Sequence, residues 1–511
     1  MDQLLCRLVI PKLFQASLII LRLPRILYLM EPLEKLRKIR LEKLEKIRKL
    51  GSNPYPAKSQ KEVNISDCLK SQGKNVQTAG RVMALRSHGG STFADLVDES
   101  GKIQLFFSKD KLSTVNRELL TLLDIGDFIQ VTGKVDKTQA GETTIFASDF
   151  ELLTKSTRPL PSTWYGLKDI EERYRKRYLD LLFNSQVKKV FELRSQVIQA
   201  HRQFLLDRGY IEVETPVLQT LYGGGLARPF KTYHNALGIP LYLRISTELY
   251  LKRLIVAGFE KVFEIARVFR NEGIDRQHNP EFTILETMEA YADYQVNMDL
   301  VEQMTEYVVK KTIGSTKVKY QNSAVNFKRP WKRVTMIDAV REATGVDFSK
   351  ITDADKAKQH AKKLNVPLKP FQKTAGLILA EIFDQKVVET LISPTIIYDF
   401  PVETSPLAKK GKDPRFVQRF EHFVAGMEAS NNYSELNDPQ DLKLRFQDER
   451  KKERLGEEEA HQTDTDFNEA LEYGMPPTSG IGPSMDRLVM ILTNSPSIKD
   501  VILFPTLRSK T

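Results

Sequence analysis

The stretch from Val262 to Glu286 most constrains how this chain can fold. Val262–Val268 is a mostly apolar run that reads as a buried strand, and it leads directly into Phe269-Arg270-Asn271-Glu272-Gly273. Arg276-Gln277-His278-Asn279-Pro280-Glu281-Phe282 follows. A tight turn bearing Gly273 and a second strand, Phe282–Glu286, would complete a hairpin. Such a hairpin points two arginines, a histidine, a ring and acidic groups at one ligand. Arginine suits phosphate, because its planar fork bonds bidentately and stays charged. Taken alone, a surface hairpin of paired charges explains these residues equally well.

At 511 residues the chain should hold several domains, at roughly 150 residues each. Its apolar share, 41%, is that of a globular protein. Two cysteines, Cys6 and Cys68, cannot build a disulfide framework or a zinc site, which fits a reducing, cytoplasmic setting. The net charge of +11 is uneven, since residues 1–58 carry 13 Lys/Arg against 5 Asp/Glu. A basic end on a nearly neutral body points to a polyanionic partner. Met1–Leu29 is an apolar, cationic extension broken by Pro11 and Pro24, which argues against a membrane span. An over-long start, a short genuine extension and an organellar targeting peptide all fit it, taken in that order.

Residues 30–60 should form a basic helix, with Leu33, Leu36, Ile39, Leu41, Leu44, Ile47 and Leu50 at helical spacing and Gly51-Ser52-Asn53-Pro54 ending it. Its charged faces suit water or a nucleic acid. Within 61–157, five short apolar runs (Gly80–Ala84, Thr92–Leu96, Ile103–Phe107, Phe128–Gly133, Thr143–Phe146) and a helix-like insert, Leu112–Leu123, read as an OB-type barrel. Phe93 is either core or a platform for an unstacked base, and Gln104 and Glu142 have the chemistry to read base edges. A linker and helix, 158–186, lead to a domain at 187–511 that alternates helices with strands, with a Lys-rich helical insertion at about 331–388. No G-x-x-x-x-G-K-[ST] loop is present, so ATP would need another holder.

Two distant strings flank the hairpin. Gly209-Tyr210-Ile211-Glu212-Val213-Glu214-Thr215-Pro216 is a helix end, a strand and a proline. Gly480-Ile481-Gly482-Pro483-Ser484-Met485-Asp486-Arg487-Leu488 is a glycine-rich turn running into an apolar helix. With the hairpin between them, these resemble motifs 1, 2 and 3 of the class II aminoacyl-tRNA synthetases. Pro401–Lys409 and Tyr433–Asp438 further resemble the bacterial-type lysyl-tRNA synthetases of subclass IIb, and the likeness runs from about Glu31 to Arg508.

The resemblance implies an α+β multidomain protein: an N-terminal OB-fold β-barrel, then an antiparallel sheet with flanking helices. It implies a cytoplasmic homodimer, off the membrane, acting on ATP, L-lysine and tRNA(Lys) with Mg²⁺. It makes Arg270 and Arg487 catalytic, and gives ATP to Arg270, Glu272, His278, Phe282, Glu421 and Arg487. Lysine falls to Gly224, Glu248, Arg270, Glu286, Asn431, Tyr433 and Glu435. Glu421 and Glu428 become the Mg²⁺ ligands, and Phe93, Gln104 and Glu142 the anticodon contacts. The chain departs from the family at Met288, usually tyrosine, where a missing hydroxyl weakens the pocket by about 1 kcal/mol. It departs again at Ser430, Asn432 and Ser484, usually glycines. The implied function is a lysine–tRNA ligase. A silent tRNA-binding homologue and a protein-lysylating paralogue are the alternatives, the latter opposed by the intact barrel pattern.

Overall fold

The computed structural model describes residues 33–161, 169–225, 227–454 and 464–509, with backbone alone for 448–454. The readings of Met1–Leu29 lie outside the described residues. The chain divides into two compact units, residues 1–166 and 167–511.

In the first unit, residues 33–49 are helical. Leu44 and Ile47 are buried, whereas Leu36, Ile39 and Leu41 are exposed, so only the later turns of the apolar stripe are seated. Two of the helix's cations work inside the fold. Arg40 donates to the carbonyls of Ser156 and Ile125 at 2.9 and 3.0 Å, and Lys43 meets Asp124 at 2.7 Å. The charge excess read from the sequence is therefore only partly free for a polyanion.

Five strands follow: β1 (Asn75–His88), β2 (Ser91–Val97), β3 (Lys102–Ser108), β4 (Phe128–Lys137) and β5 (Thr143–Thr154). They close into a barrel in the order β1-β2-β3-β5-β4, with β3 and β5 parallel. Each strand outruns the apolar run that announced it, because the ladder continues through polar residues once the interior is filled. Ala94, Leu96, Ile103, Leu105, Val131 and Ile145 fill that interior. Closure leaves no sheet edge to aggregate.

The second unit has two smaller sheets and is built on one of eight strands: β6 (Ile211–Glu212), β7 (Lys261–Phe269), β8 (Glu281–Ala290), β9 (Lys332–Thr335), β10 (Thr395–Pro401), β11 (Phe416–Val424), β12 (Met427–Ser434) and β13 (Thr478–Pro483). Their order is β9-β10-β11-β12-β13-β8-β7-β6. The outermost pair on each side is parallel and the pairs between are antiparallel. Helices Ser185–Leu206, Tyr294–Ile313 and Met485–Leu492 supply Phe204, Met304 and Val489 to a core shared with Phe263, Leu285, Phe420 and Ile481 of the strands. That leaves alternate strand residues to face a cavity. Asp293 caps the second of these helices, accepting from the backbone N–H of Gln295 and Val296 at 3.0 and 3.1 Å. Asp293→Ala should lower unfolding stability by about 1 kcal/mol. An unchanged denaturant midpoint would contradict this.

Three local expectations are corrected. β7 and β8 are joined by a loop over residues 270–280, not a tight turn. Asn271 N–H bonds to the Arg228 carbonyl, and Asp275 caps its own turn through the N–H groups of Gln277 and His278. Those partners draw the backbone off the ladder. Gly480–Pro483 is strand, not turn. Gly480 is needed for close approach, because a β-carbon there would lie 2.6 Å from Glu435 Oε1 and 2.9 Å from Met288 Sδ. The stretch read as helical from Trp331 opens with β9, whose Arg333 is held by Asp299 and Glu302, before three helices follow.

Candidate active site

Register brings distant segments together. Met288 of β8 pairs with Gly480 of β13, which pairs with Tyr433 of β12, which pairs with Arg419 of β11. One step along, Glu421 pairs with Asn431, and Asn431 with Gly482. Side chains alternate along a strand, so residues in register on neighbouring strands share a face. That face lines a cavity of about 400 Å³, and Phe282, Ile284, Glu286 and Met288 of β8 reach it at every second position. Every residue of this unit given an ATP, lysine or metal role from the sequence lines the same cavity.

One end of the cavity is acidic. Glu248 opens the helix Glu248–Val256, and Glu286 lies on β8. Glu286 accepts from Ser246 Oγ at 2.7 Å, from Thr247 N–H at 2.9 Å and from Thr247 Oγ1 at 2.5 Å. Burial, with the charge of Glu248, pushes its carboxyl up to about 7. Gly224 sits at φ +81°, where a β-carbon would lie 2.9 Å from Ser246 Oγ, so this wall admits only glycine. Glu435 is buried, and burial raises its carboxyl above the usual range against the opposing Lys252 ammonium. Burial and the charges of Glu248 and Glu435 likewise raise the Tyr433 phenol. Two buried carboxylates, Glu248 and Glu435, and the half-buried Glu286 beside a ring make an environment for a cation, which would be costly to bury unpaired.

The other end holds rings and arginines. The Arg270 guanidinium lies 5.2 Å from the Phe282 ring centre. Glu272 and His278 come from the 270–280 loop, and His278 Nδ1 lies 2.8 Å from Asp275 Oδ2. Arg487 sits in the first turn of Met485–Leu492 and donates to the Glu428 carbonyl at 2.6 Å and to Glu428 Oε2 at 2.7 Å. Burial favours the neutral form of Glu428, but Arg487, Arg419 and Arg270 outweigh it and hold the carboxyl below its ordinary range. Burial, with Glu428 and Asp384, holds Glu421 above that range against Arg419.

Sequence reasoning missed Arg419. It ion-pairs with Glu421, donates to Asn431 Oδ1 at 3.0 Å and to Ser405 Oγ at 2.8 Å, and so braces the cavity wall. Its signal was present: two residues before Glu421 on a strand, it must share that face. The departures from the family pattern also find places. Ser430 and Asn432 point to the other side of β12, where Asn432 Nδ2 donates to Ser430 Oγ at 2.8 Å and both are buried. Ser484 caps the Arg487 helix, its hydroxyl accepting from Arg487 N–H at 3.4 Å. Met288 is buried against Gly480.

On the barrel, Phe93 is half-buried on the outer face, in line with Phe106 at 5.0 Å, which in turn lies 5.4 Å from Phe146. Gln104 shares this face and accepts from Thr144 Oγ1 at 2.9 Å, and Glu142 is exposed just before β5. The ring is outside the barrel's core.

A family model described as class II tRNA synthetases (D, K and N) matches residues 169–508, and one described as an OB-fold nucleic acid binding domain matches 76–153. The chain is 51% identical over 467 residues to a lysine–tRNA ligase of Thermoanaerobacter pseudethanolicus, covering 90% of this chain and 93% of the relative. It is 52% identical over 443 residues to that of Bacillus subtilis, covering 86% and 89%. The chain belongs to the lysine–tRNA ligase family. The fold is that of a class II synthetase: an OB barrel and an α+β domain on a largely antiparallel sheet. Among the described residues, no helix is long and apolar enough to cross a membrane.

Proposed function

We propose that the protein is a lysine–tRNA ligase, which activates L-lysine with ATP and transfers it to the 3′ end of tRNA(Lys). The observation that carries this reading is that two groups line one cavity: Glu248, Glu286 and Glu435 in one, and Arg270, Phe282 and Arg487 with Glu421 and Glu428 in the other. An amino acid with two ammonium groups and an anionic nucleotide would meet between them. The substrate carboxylate attacks the α-phosphorus in line and pyrophosphate leaves. A carboxylate is already a nucleophile, so the protein's task is alignment and charge neutralisation rather than proton removal.

Arg270 bridges the lysine carboxylate and the α-phosphate, and Asn431 helps hold that carboxylate. Phe282 and Arg487 sandwich the adenine ring. Glu272 accepts from the adenine amino group, and His278 donates toward the outer phosphates. Glu248 and the Gly224 backbone hold the α-ammonium, Glu435 and Glu286 the ε-ammonium, and Tyr433 the methylene stem. Glu421 and Glu428, on adjacent strands, fit Mg²⁺, which favours one or two carboxylates completed by phosphate oxygens. When bound, the ion supplies charge neutralisation on the triphosphate. On the barrel, Phe93 stacks on an anticodon base while Gln104 and Glu142 read base edges. Cysteine usage favours the cytoplasm for this work.

Incubation with ATP, Mg²⁺ and lysine should charge a tRNA(Lys) transcript and leave transcripts of other specificities uncharged. Failure to charge it would sink the reading. The same proposal includes a homodimer. Ile211, Val217, Leu218 and Leu221, around Glu214–Pro216, are 38–51% exposed, an apolar patch suited to a two-fold interface. Sedimentation should give a dimer at micromolar concentration; a monomer would contradict it.

A further inference from the structure

Lys252 has no part in the scheme above, yet it sits against two of the residues given to the substrate. It projects from the helix Glu248–Val256 and is 1% exposed. Its Nζ lies 2.5 Å from Glu248 Oε1 and 2.5 Å from Glu435 Oε2, and 5.5 Å from the centre of the Tyr433 ring. Glu248, Glu435 and Tyr433 line the cavity, but Lys252 does not. Its ammonium therefore reaches the two carboxylates from behind. Burial disfavours that ammonium, but Glu248 and Glu435 outweigh burial and hold its pKa above the ordinary lysine value.

Charge and geometry give this arrangement a consequence. With a lysine bound, its ammonium groups favour the ionised carboxylates, and three of these with one internal ammonium carry two negative charges, matching the α- and ε-ammonium groups of that lysine. The same ammonium ties the carboxylate assigned to the α-amino group to the one assigned to the ε-amino group, and so fixes their spacing. We propose that Lys252 is a positioning residue that sets the pocket's selectivity for chain length, holding Glu248 and Glu435 at the span of a four-methylene diammonium substrate. The inference rests on the lysine-activating reading above. It places ornithine, one methylene shorter, as the substrate that this spacing rejects.

The test compares lysine and ornithine in ATP–pyrophosphate exchange by the full chain and by Lys252→Met, which keeps the side chain's length and drops its charge. In the variant, kcat/KM for lysine should fall by at least about tenfold, through KM, and the lysine-to-ornithine ratio of kcat/KM by at least about tenfold, the scale of one methylene's discrimination. KM for ATP should stay within about twofold, because the nucleotide end of the cavity is untouched. A ratio within about threefold of the unmodified protein's, whatever the absolute loss, would make Lys252 a packing ion pair and overturn the proposal. Lys252→Gln, neutral but still a donor, gives the same comparison with the same expectation if the methionine form does not fold. Unmodified protein without lysine-dependent exchange would overturn the functional reading and this proposal together. Normal exchange with an unmoved ratio overturns the proposal alone.

Discussion

Arg270→Ala and Arg487→Ala should each slow lysine-dependent ATP–pyrophosphate exchange by at least about a hundredfold, since one lost donor in a preorganised site costs about 3 kcal/mol. Arg270 is placed for this by the Phe282 ring under its guanidinium, and it extends into the cavity from the end of β7. Arg487 carries a second consequence. Its removal takes two hydrogen bonds from Glu428, so nucleotide and metal affinity should fall with the rate. Arg270→Lys should fail as well, because a point charge cannot replace a bidentate fork. Near-normal exchange in either alanine variant would mean that the reacting phosphate lies elsewhere.

Phe93→Ala should leave that exchange untouched and impair charging. Activation is assigned to the unit at 167–511, whereas Phe93 lies on the barrel, outside its core. Losing one base stack costs about 1–3 kcal/mol, or roughly five- to a hundredfold in apparent KM for tRNA. A transcript with a substituted middle anticodon base should charge poorly on the unmodified protein, with less further loss on the variant. If Phe93→Ala abolishes exchange or unfolds the barrel, the ring is structural, and recognition belongs to another face.

The sequence made the barrel legible because its interior is a simple period-two code. In β2, Thr92, Ala94 and Leu96 are buried while Phe93 and Asp95 are not, and turns separate one strand from the next. The cavity's lining was legible for a different reason: its strings resemble those of a known family, whereas taken alone the same charges fit a surface equally well. What stayed hidden depended on pairing across strands. Gly480 looked like a turn because glycine usually buys backbone freedom, yet here it clears space for Glu435 and Met288. Arg419 shows itself only once β11 is read as a strand that it shares with Glu421, and for Lys252 nothing local says that a cation four residues from an acid is buried with it. Arg40 and Lys43 were likewise counted toward a polyanion although they hold their helix to the barrel.

The central claim is that this cavity activates lysine in particular. ATP–pyrophosphate exchange by the full chain, without tRNA and with each amino acid in turn, tests it most directly. Exchange should depend on Mg²⁺ and on lysine, with aspartate and asparagine inert, because three carboxylates repel the one and leave the other's neutral amide unpaired. Exchange driven by aspartate or asparagine, or none with lysine, would contradict the account.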